Sequence, residues 1–281
     1  MMRVQHQRPE GWKGGTRHEG DSLRRFAAVL PHADRTAAAL SVDHPALAEA
    51  RTIFPSTVHF ADEVDRVLVS GANNPKLGAR VTKGPWRGMP IYQLTLEERA
   101  TCPASCALWA TCYGNSMHLA RRHRPGRELE QILGAELCGL ADRHPGGFVV
   151  RLHTLGDFYS VRYASLWAVW LQWIPELRVF GYTAREDGTP IAEVIERLNG
   201  RFPDRCLIRF SRAVPSGKAH EAITIWHQPA GQWVDQGLVC PAQTERTACC
   251  GTCGLCWSPA MAATPIVFVG HGRRTKRRVA A

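Results

Sequence analysis

The sequence predicts an α/β protein with a mainly parallel sheet, open or curled into a partial (β/α) barrel, and a cysteine-rich C-terminal metal-binding segment. Two observations predict the sheet. Short runs rich in β-branched and aromatic residues alternate with longer stretches of helical periodicity, and the connections are long enough for right-handed crossovers. A third predicts the segment: cysteines crowd between positions 240 and 256.

Residues 1–60 carry scattered Gly and His and only short amphipathic stretches, at 21–30 and 46–53, and read as a loosely structured extension with some helix. The α/β core is expected over 61–239. Val67-Leu68-Val69 runs into the turn signal Gly71-Ala72-Asn73-Asn74-Pro75, and 89–96 reads as a strand through Ile91, Tyr92, Leu94, Thr95 and Leu96. Leu129, Ile132, Leu133, Leu137 and Leu140 give helical spacing over 127–143, which Pro145-Gly146-Gly147 ends. Residues 148–154 read as a strand. Residues 160–174, rich in tryptophan, read as a helix stopped by Pro175, and 177–183 as the next strand. Thr189-Pro190 caps a helix expected to reach Leu198, with Gly200 past its end. Further strands are expected at 206–211, 222–226 and 265–270. The cysteine-rich segment occupies 240–272 and a basic tail 273–281.

Within two strands the alternation is informative. Phe148, Val150 and Leu152 oppose Val149, Arg151 and His153; Cys206, Ile208 and Phe210 oppose Leu207, Arg209 and Ser211. A parallel strand covered on both faces is apolar throughout. Arg151, His153, Arg209 and Ser211 therefore mark either a polar, cationic substrate cavity or wet faces of edge strands. Ligands of such sheets collect at the C-terminal strand ends, where Gly156, Asp157, Thr183, Arg185 and Arg212 stand. Gly156 would allow close approach of a ligand, and Asp157 can accept a hydrogen bond from an ammonium or hydroxyl group. Alternatively, Asp157 or Ser160 caps the helix that follows.

Of the 281 residues, 44% are hydrophobic and 21% charged, which excludes disorder over the whole length. No apolar run approaches the roughly 20 residues of a membrane span, and the N-terminus lacks the apolar stretch of a signal peptide, so a cytoplasmic protein is expected. The formal charge of +10 sits mostly in residues 1–35 and in Arg273, Arg274, Lys276, Arg277 and Arg278. Such a tail can neutralise nucleic-acid phosphates or simply be solvated.

Ten cysteines without a secretion signal point to metal rather than to disulfides. Cys102, Cys106 and Cys112 can hold one face of a cluster and leave a coordination position open, or form closed zinc with a fourth ligand such as His118 or His123. Cys250, Cys253 and Cys256 have the Cys-x2-Cys-x2-Cys spacing of cluster ligands, and Cys240-Pro241 offers a remote fourth. Zinc explains these residues too. The thiol count fits two pooled zinc sites, or a three-cysteine and a four-cysteine cluster with Cys249 spare. Cys138 and Cys206 stand alone and read as core. No Walker loop, His-Glu-x-x-His helix or paired nucleophile and base is present.

The order strand, three-cysteine loop, helix, strand leading to Gly156-Asp157-Phe158-Tyr159-Ser160, helix, strand Val179-Phe180-Gly181-Tyr182-Thr183, closed by Cys253-Gly254-Leu255-Cys256-Trp257, resembles a phage and bacterial family called gene product eighty-eight. The resemblance runs from Asn73-Asn74-Pro75-Lys76-Leu77-Gly78 to Trp257. The chain is also distantly similar to radical S-adenosylmethionine enzymes, which place three cluster cysteines after the first strand of a partial barrel. That similarity implies Cys102, Cys106 and Cys112 as cluster ligands and Gly156, Asp157 and Thr183 as the cofactor-binding position. Here the spacing is Cys-x3-Cys-x5-Cys with Tyr113 after the last cysteine, against the usual Cys-x3-Cys-x2-Cys. The expected function is an iron-sulfur protein, a divergent radical S-adenosylmethionine-like enzyme. The rival is a zinc-stabilised nucleic-acid-binding protein without catalysis.

Overall fold

The structure, a computed structural model, describes residues 39–226, 229 and 231–270; the stretch at 21–30 and the basic tail lie outside them. Its helices begin and end on local signals. Helix α1 is a single turn, Pro45–Ala48. Helix α2, Arg127–Arg143, has Glu128 and Glu130 in its first turn and Arg143 in its last, each favourable to the helix dipole, and buries Leu129, Leu133, Leu137 and Leu140. Cys138 falls one position beyond Leu137, so it turns to solvent and is exposed rather than part of the core.

Helix α3, Val161–Trp173, is capped by Ser160, whose hydroxyl accepts from the Tyr163 amide. Helix α4, Pro190–Arg201, starts on the Thr189 cap and runs through Gly200 rather than stopping before it. The buried Asn199 explains the extra turn: its amide donates to the Ile208 carbonyl and accepts from the Ile208 amide, both at 2.8 Å.

The strands are β1 (Val58–His59), β2 (Val69–Ser70), β3 (Ile91–Gln93), β4 (Arg122–His123), β5 (Phe148–Leu152), β6 (Leu177–Thr183), β7 (Cys206–Arg212), β8 (Glu221–Ile225), β9 (Trp233–Val234), β10 (Gly237–Val239) and β11 (Ile266–Val269). Nine of them form one sheet in the order β2-β3-β5-β6-β7-β8-β11-β10-β9. Every pairing from β3 to β10 is parallel, and only the edge strands β2 and β9 run antiparallel to their neighbours. No pairing among the described residues joins β2 to β9, so the sheet is open.

The strand expected at 89–96 narrows to β3. Leu94 and Leu96 stay buried, with their amides on the carbonyls of Arg151 and Leu155. The strand expected at 148–154 ends at Leu152. Helices α2, α3 and α4 lie in successive crossovers and pack on one face, over Phe148, Val150, Leu152, Val179, Ile208 and the buried Cys206. The other face presents Val149, Phe180 and Leu207 to Leu77, Val81, Trp86 and Trp257. The cysteine-rich segment between β10 and β11, with a single helical turn at Cys250–Cys253, thus covers the face opposite α2, α3 and α4. Among the described residues no helix is long and apolar enough to cross a membrane.

Candidate metal centres

The loop that carries Cys102, Cys106 and Cys112 leaves β3 at its C-terminal end and is shaped by one buried guanidinium. Arg122 is 0% exposed. Its Nε and Nη2 donate to the Glu98 carboxylate at 2.6 and 3.1 Å. Its remaining donors reach the Met117, Ala120 and Gly114 carbonyls and the Thr57 hydroxyl. Thr52 donates to the same carboxylate at 2.7 Å, Arg51 pairs with Glu97, and Arg99 donates to the Trp109 and Arg51 carbonyls. Residues 39–60 therefore gird the cysteine loop, with β1 paired parallel to β4, rather than trailing as a loose extension.

Gly156, Asp157 and Thr183 join this loop to the ends of β5 and β6. Gly156 has φ +81°, and a Cβ there would lie 2.5 Å from Thr101 Oγ1 and 2.6 Å from Leu96 Cβ. The space that a glycine leaves is filled by the cysteine loop itself. The Asp157 amide donates to Thr101 Oγ1. Its carboxylate accepts from the Phe158 amide, the Thr183 hydroxyl and the Ala184 amide at 2.7 to 2.8 Å. Burial nevertheless outweighs these donors and pushes Asp157 up to about 6. The helix cap falls to Ser160. Arg185 completes the junction by donating to the carbonyls of Phe158 and Thr101. Beside it opens a cleft of about 370 Å³ whose lining includes Pro103, Ser105, Ser160, Arg185 and Thr189.

The three thiols of the loop act on one another. Burial pushes Cys102 up first, and the negative charges of Asp157, Cys112 and Cys106 add to it. Burial likewise raises Cys106, and it raises Cys112 to about 11, with Glu98 and Cys106 contributing. The His118 ring leans on Phe54 at 6.4 Å, and His123 is buried in β4.

The second group is gathered by the segment Asn74-Pro75-Lys76-Leu77-Gly78. The Cys250 and Gly251 amides donate to the Lys76 and Leu77 carbonyls at 2.9 Å, and the Thr82 amide donates to the Gly251 carbonyl at 2.9 Å. Gly78, at φ +84°, approaches so closely that a Cβ would stand 2.5 Å from Cys249 Sγ. Cys249 is buried there, 3.6 Å from Thr252 Oγ1. Cys240, directly after β10, packs with Cys256 against Leu238 and Ile266, while Cys250 and Cys256 pack against Ile91 and Trp257. Burial raises Cys240 to about 11, with the charges of Cys256 and Cys253 adding. Burial raises Cys250 as well, followed by Cys256 and, more weakly, Cys240 and Cys253.

Two arginines share that face. Arg209 is 0% exposed and donates to four carbonyls: Cys256 at 3.1 Å, Glu221 at 3.1 Å, Thr264 at 3.0 Å and Met261 at 2.9 Å. The Arg151 guanidinium lies over the Tyr182 ring at 4.5 Å and over Phe180 at 5.6 Å. Among the described residues neither has a carboxylate partner. The Tyr182 hydroxyl donates to Cys256 Sγ at 2.9 Å. Ser211 is half-buried near the end of β7, beside Ala222 of β8. His153 lies beyond the end of β5 and belongs to the helix layer instead, with Nε2 2.9 Å from the Tyr163 hydroxyl and its ring against Phe158.

Arg151 neighbours both groups, acting on Tyr113 beside Cys112 and on Cys250. Among the described residues no group of three or more His, Cys, Asp or Glu side chains stands in metal-binding geometry.

Burial also lowers His153 to about 3 and His123 to about 4. The unfolded chain takes up these protons near pH 6.5 and the folded chain only at lower pH, so their contribution to stability is full above pH 6.5 and is lost as the pH falls towards 4. Asp157 opposes this in part, because its folded form holds a proton from about pH 6 downwards. Burial lowers His144 and His220 as well, so the histidines outweigh Asp157 and the urea midpoint is expected to be lower at pH 5 than at pH 7; an equal or higher midpoint would contradict the burial assigned to these histidines.

Comparison with protein-family models, with curated proteins and with solved structures gives no match, so the function is read from the chemistry of these residues.

Proposed function

We propose that this chain is an iron-sulfur protein with two separate thiolate centres, one held by Cys102, Cys106 and Cys112 and one by Cys240, Cys250, Cys253 and Cys256. What supports the reading is the seating of the two groups on different parts of the fold, the first tied to the ends of β5 and β6 through Thr101 and Asp157 and the second docked on Lys76, Leu77 and the end of β10. Three of the thiols act on one another at the C-terminal strand ends, beside an open cleft. Pooled zinc sites would require thiols of the two groups to mix.

The donor set fits a metal. Burial raises Cys102, Cys106, Cys112, Cys240, Cys250 and Cys253 above the ordinary thiol range, and a bound cation would favour their thiolates. Arg209 and Arg151, buried or half-buried beside Cys256 and Cys250 and without a carboxylate partner among the described residues, supply the positive charge that a four-thiolate centre needs around it. An iron-sulfur cluster bound there supplies one-electron chemistry. The chain's own residues do the rest. Arg122 shapes the first loop, Thr101, Asp157 and Thr183 fix it to the ends of β5 and β6, and the cleft lined by Ser105 and Arg185 gives a small molecule access.

A three-cysteine centre with an open coordination position suits S-adenosylmethionine, as the resemblance to radical S-adenosylmethionine enzymes implies. The test is metal and acid-labile sulfide content, with a visible spectrum, on protein purified without oxygen. Brown protein with iron and sulfide in near-equal amounts is expected, with a spectral change on adding S-adenosylmethionine. Colourless protein containing zinc and no sulfide would overturn the reading in favour of structural zinc.

A further inference from the structure

The C-terminal thiol group has neighbours that a purely structural metal does not require. The Tyr182 hydroxyl donates to the Cys256 sulfur at 2.9 Å. The ring of Tyr182 is held between the Arg151 guanidinium, 4.5 Å from its centroid, and the edge of Phe268 at 5.4 Å. Arg209 donates to the carbonyl of the same cysteine. One side chain of β6 thus binds a ligand sulfur directly, and two cations without carboxylate partners among the described residues stand around it.

Zinc neither gains nor loses an electron, so a hydroxyl on its ligand sulfur and nearby cations do not switch its state. For an iron-sulfur cluster they matter. Reduction adds one negative charge to a buried group, and hydrogen bonds to sulfur and nearby positive charge stabilise the reduced form more than the oxidised one.

Resting on the reading of these thiols as iron-sulfur ligands, we infer that the C-terminal centre is redox-active, and that the Tyr182 hydroxyl and the Arg151 charge set its reduction potential. The centre takes one electron from an external one-electron carrier protein and returns one electron in the reverse step. The electron resides on the cluster iron. No bond forms or breaks, and Tyr182 keeps its proton. Phe180 and Tyr182 lie on the face of β6 that also meets Arg151 and Trp257, which is how a strand of the core comes to tune a segment far along the chain.

The experiment is an anaerobic redox titration of the full chain, reconstituted with iron and sulfide and followed by electron paramagnetic resonance. The C-terminal signal is the one that survives C102A/C106A/C112A. For that signal, Tyr182→Phe is expected to lower the reduction equilibrium constant about tenfold, equivalent to ~59 mV for one electron. Arg151→Met is expected to shift it in the same direction. Tyr182→Phe keeps the ring contacts, and the iron content of each variant shows whether the centre is intact; if Tyr182→Phe loses iron, Arg151→Met decides. Iron-bearing variants with unchanged midpoints would overturn the inference and leave the two-centre reading standing. Zinc without sulfide in the parent chain would remove that reading, and the inference with it.

Discussion

Replacing Arg209 with methionine is expected to release the cysteine-rich segment from the sheet and to empty the C-terminal centre while sparing the first. Methionine fills much of the same volume but donates nothing. The carbonyls of Cys256, Glu221, Met261 and Thr264 would all lose a buried donor. Each lost bond to a charged donor is worth about 1.5–3 kcal/mol, and the four are not additive because the loop can relax towards water, so a loss of ~3–5 kcal/mol is expected. Iron per chain should fall by roughly half if the two centres are alike. Urea unfolding and iron content measure the two effects together. Arg209→Lys should recover only part of either, since an ammonium has three donors and no planar fork with which to span four carbonyls. A variant with parental stability and full iron would show that Arg209 is not what holds the segment.

The second large effect is expected at Arg122. Methionine there leaves the Glu98 carboxylate in the interior with Thr52 still donating to it, and removes donors from three carbonyls of the cysteine loop. Breaking a buried ion pair from one side costs about 3–5 kcal/mol, chiefly because the abandoned charge remains desolvated. The double variant R122M/E98L removes both charges and should be more stable than R122M alone, as measured by urea unfolding at pH 7. In R122M the first centre should lose its metal and the C-terminal centre keep it, the reverse of the outcome at Arg209. If R122M/E98L is no more stable than R122M, the stranded charge is not the main cost.

What the sequence revealed follows from the range over which each feature is determined. Helix α2 and strand β6 are long and periodic, and their bounds are legible to the residue. Strands β1, β4, β9 and β10, two or three residues each, carry no pattern to read. Whether the sheet is open or curled depends on pairing between its far edges, which no local run of residues encodes. Cys249 meets Thr252 Oγ1 at 3.6 Å and also acts on Cys253, a relation that the Cys-x2-Cys-x2-Cys spacing beginning one residue later does not express. The role of Gly156 was not readable, because the neighbour that needs its missing side chain, Thr101, is 55 positions earlier. The facing of His153 was misjudged by carrying strand alternation past the end of β5. Tyr182 was missed as a partner of the thiols, although alternation along β6 puts it two positions from Phe180 on the face of Arg151. That signal was available; its contact, 74 residues away at Cys256, was not.

The position of β11 has a consequence for how the molecule is made. It lies between β8 and β10 yet follows both in the chain, with parallel pairing on either side. During synthesis from the N-terminus, β10 and its short partner β9 have no seat on the sheet until Ile266–Val269 emerges from the ribosome. Until then Cys240 is untethered, while Cys250–Cys256 can already dock against the Lys76 and Leu77 carbonyls. The proposed C-terminal centre would therefore be completed late, the insertion of one four-residue strand being the event that seats Cys240 beside Cys256.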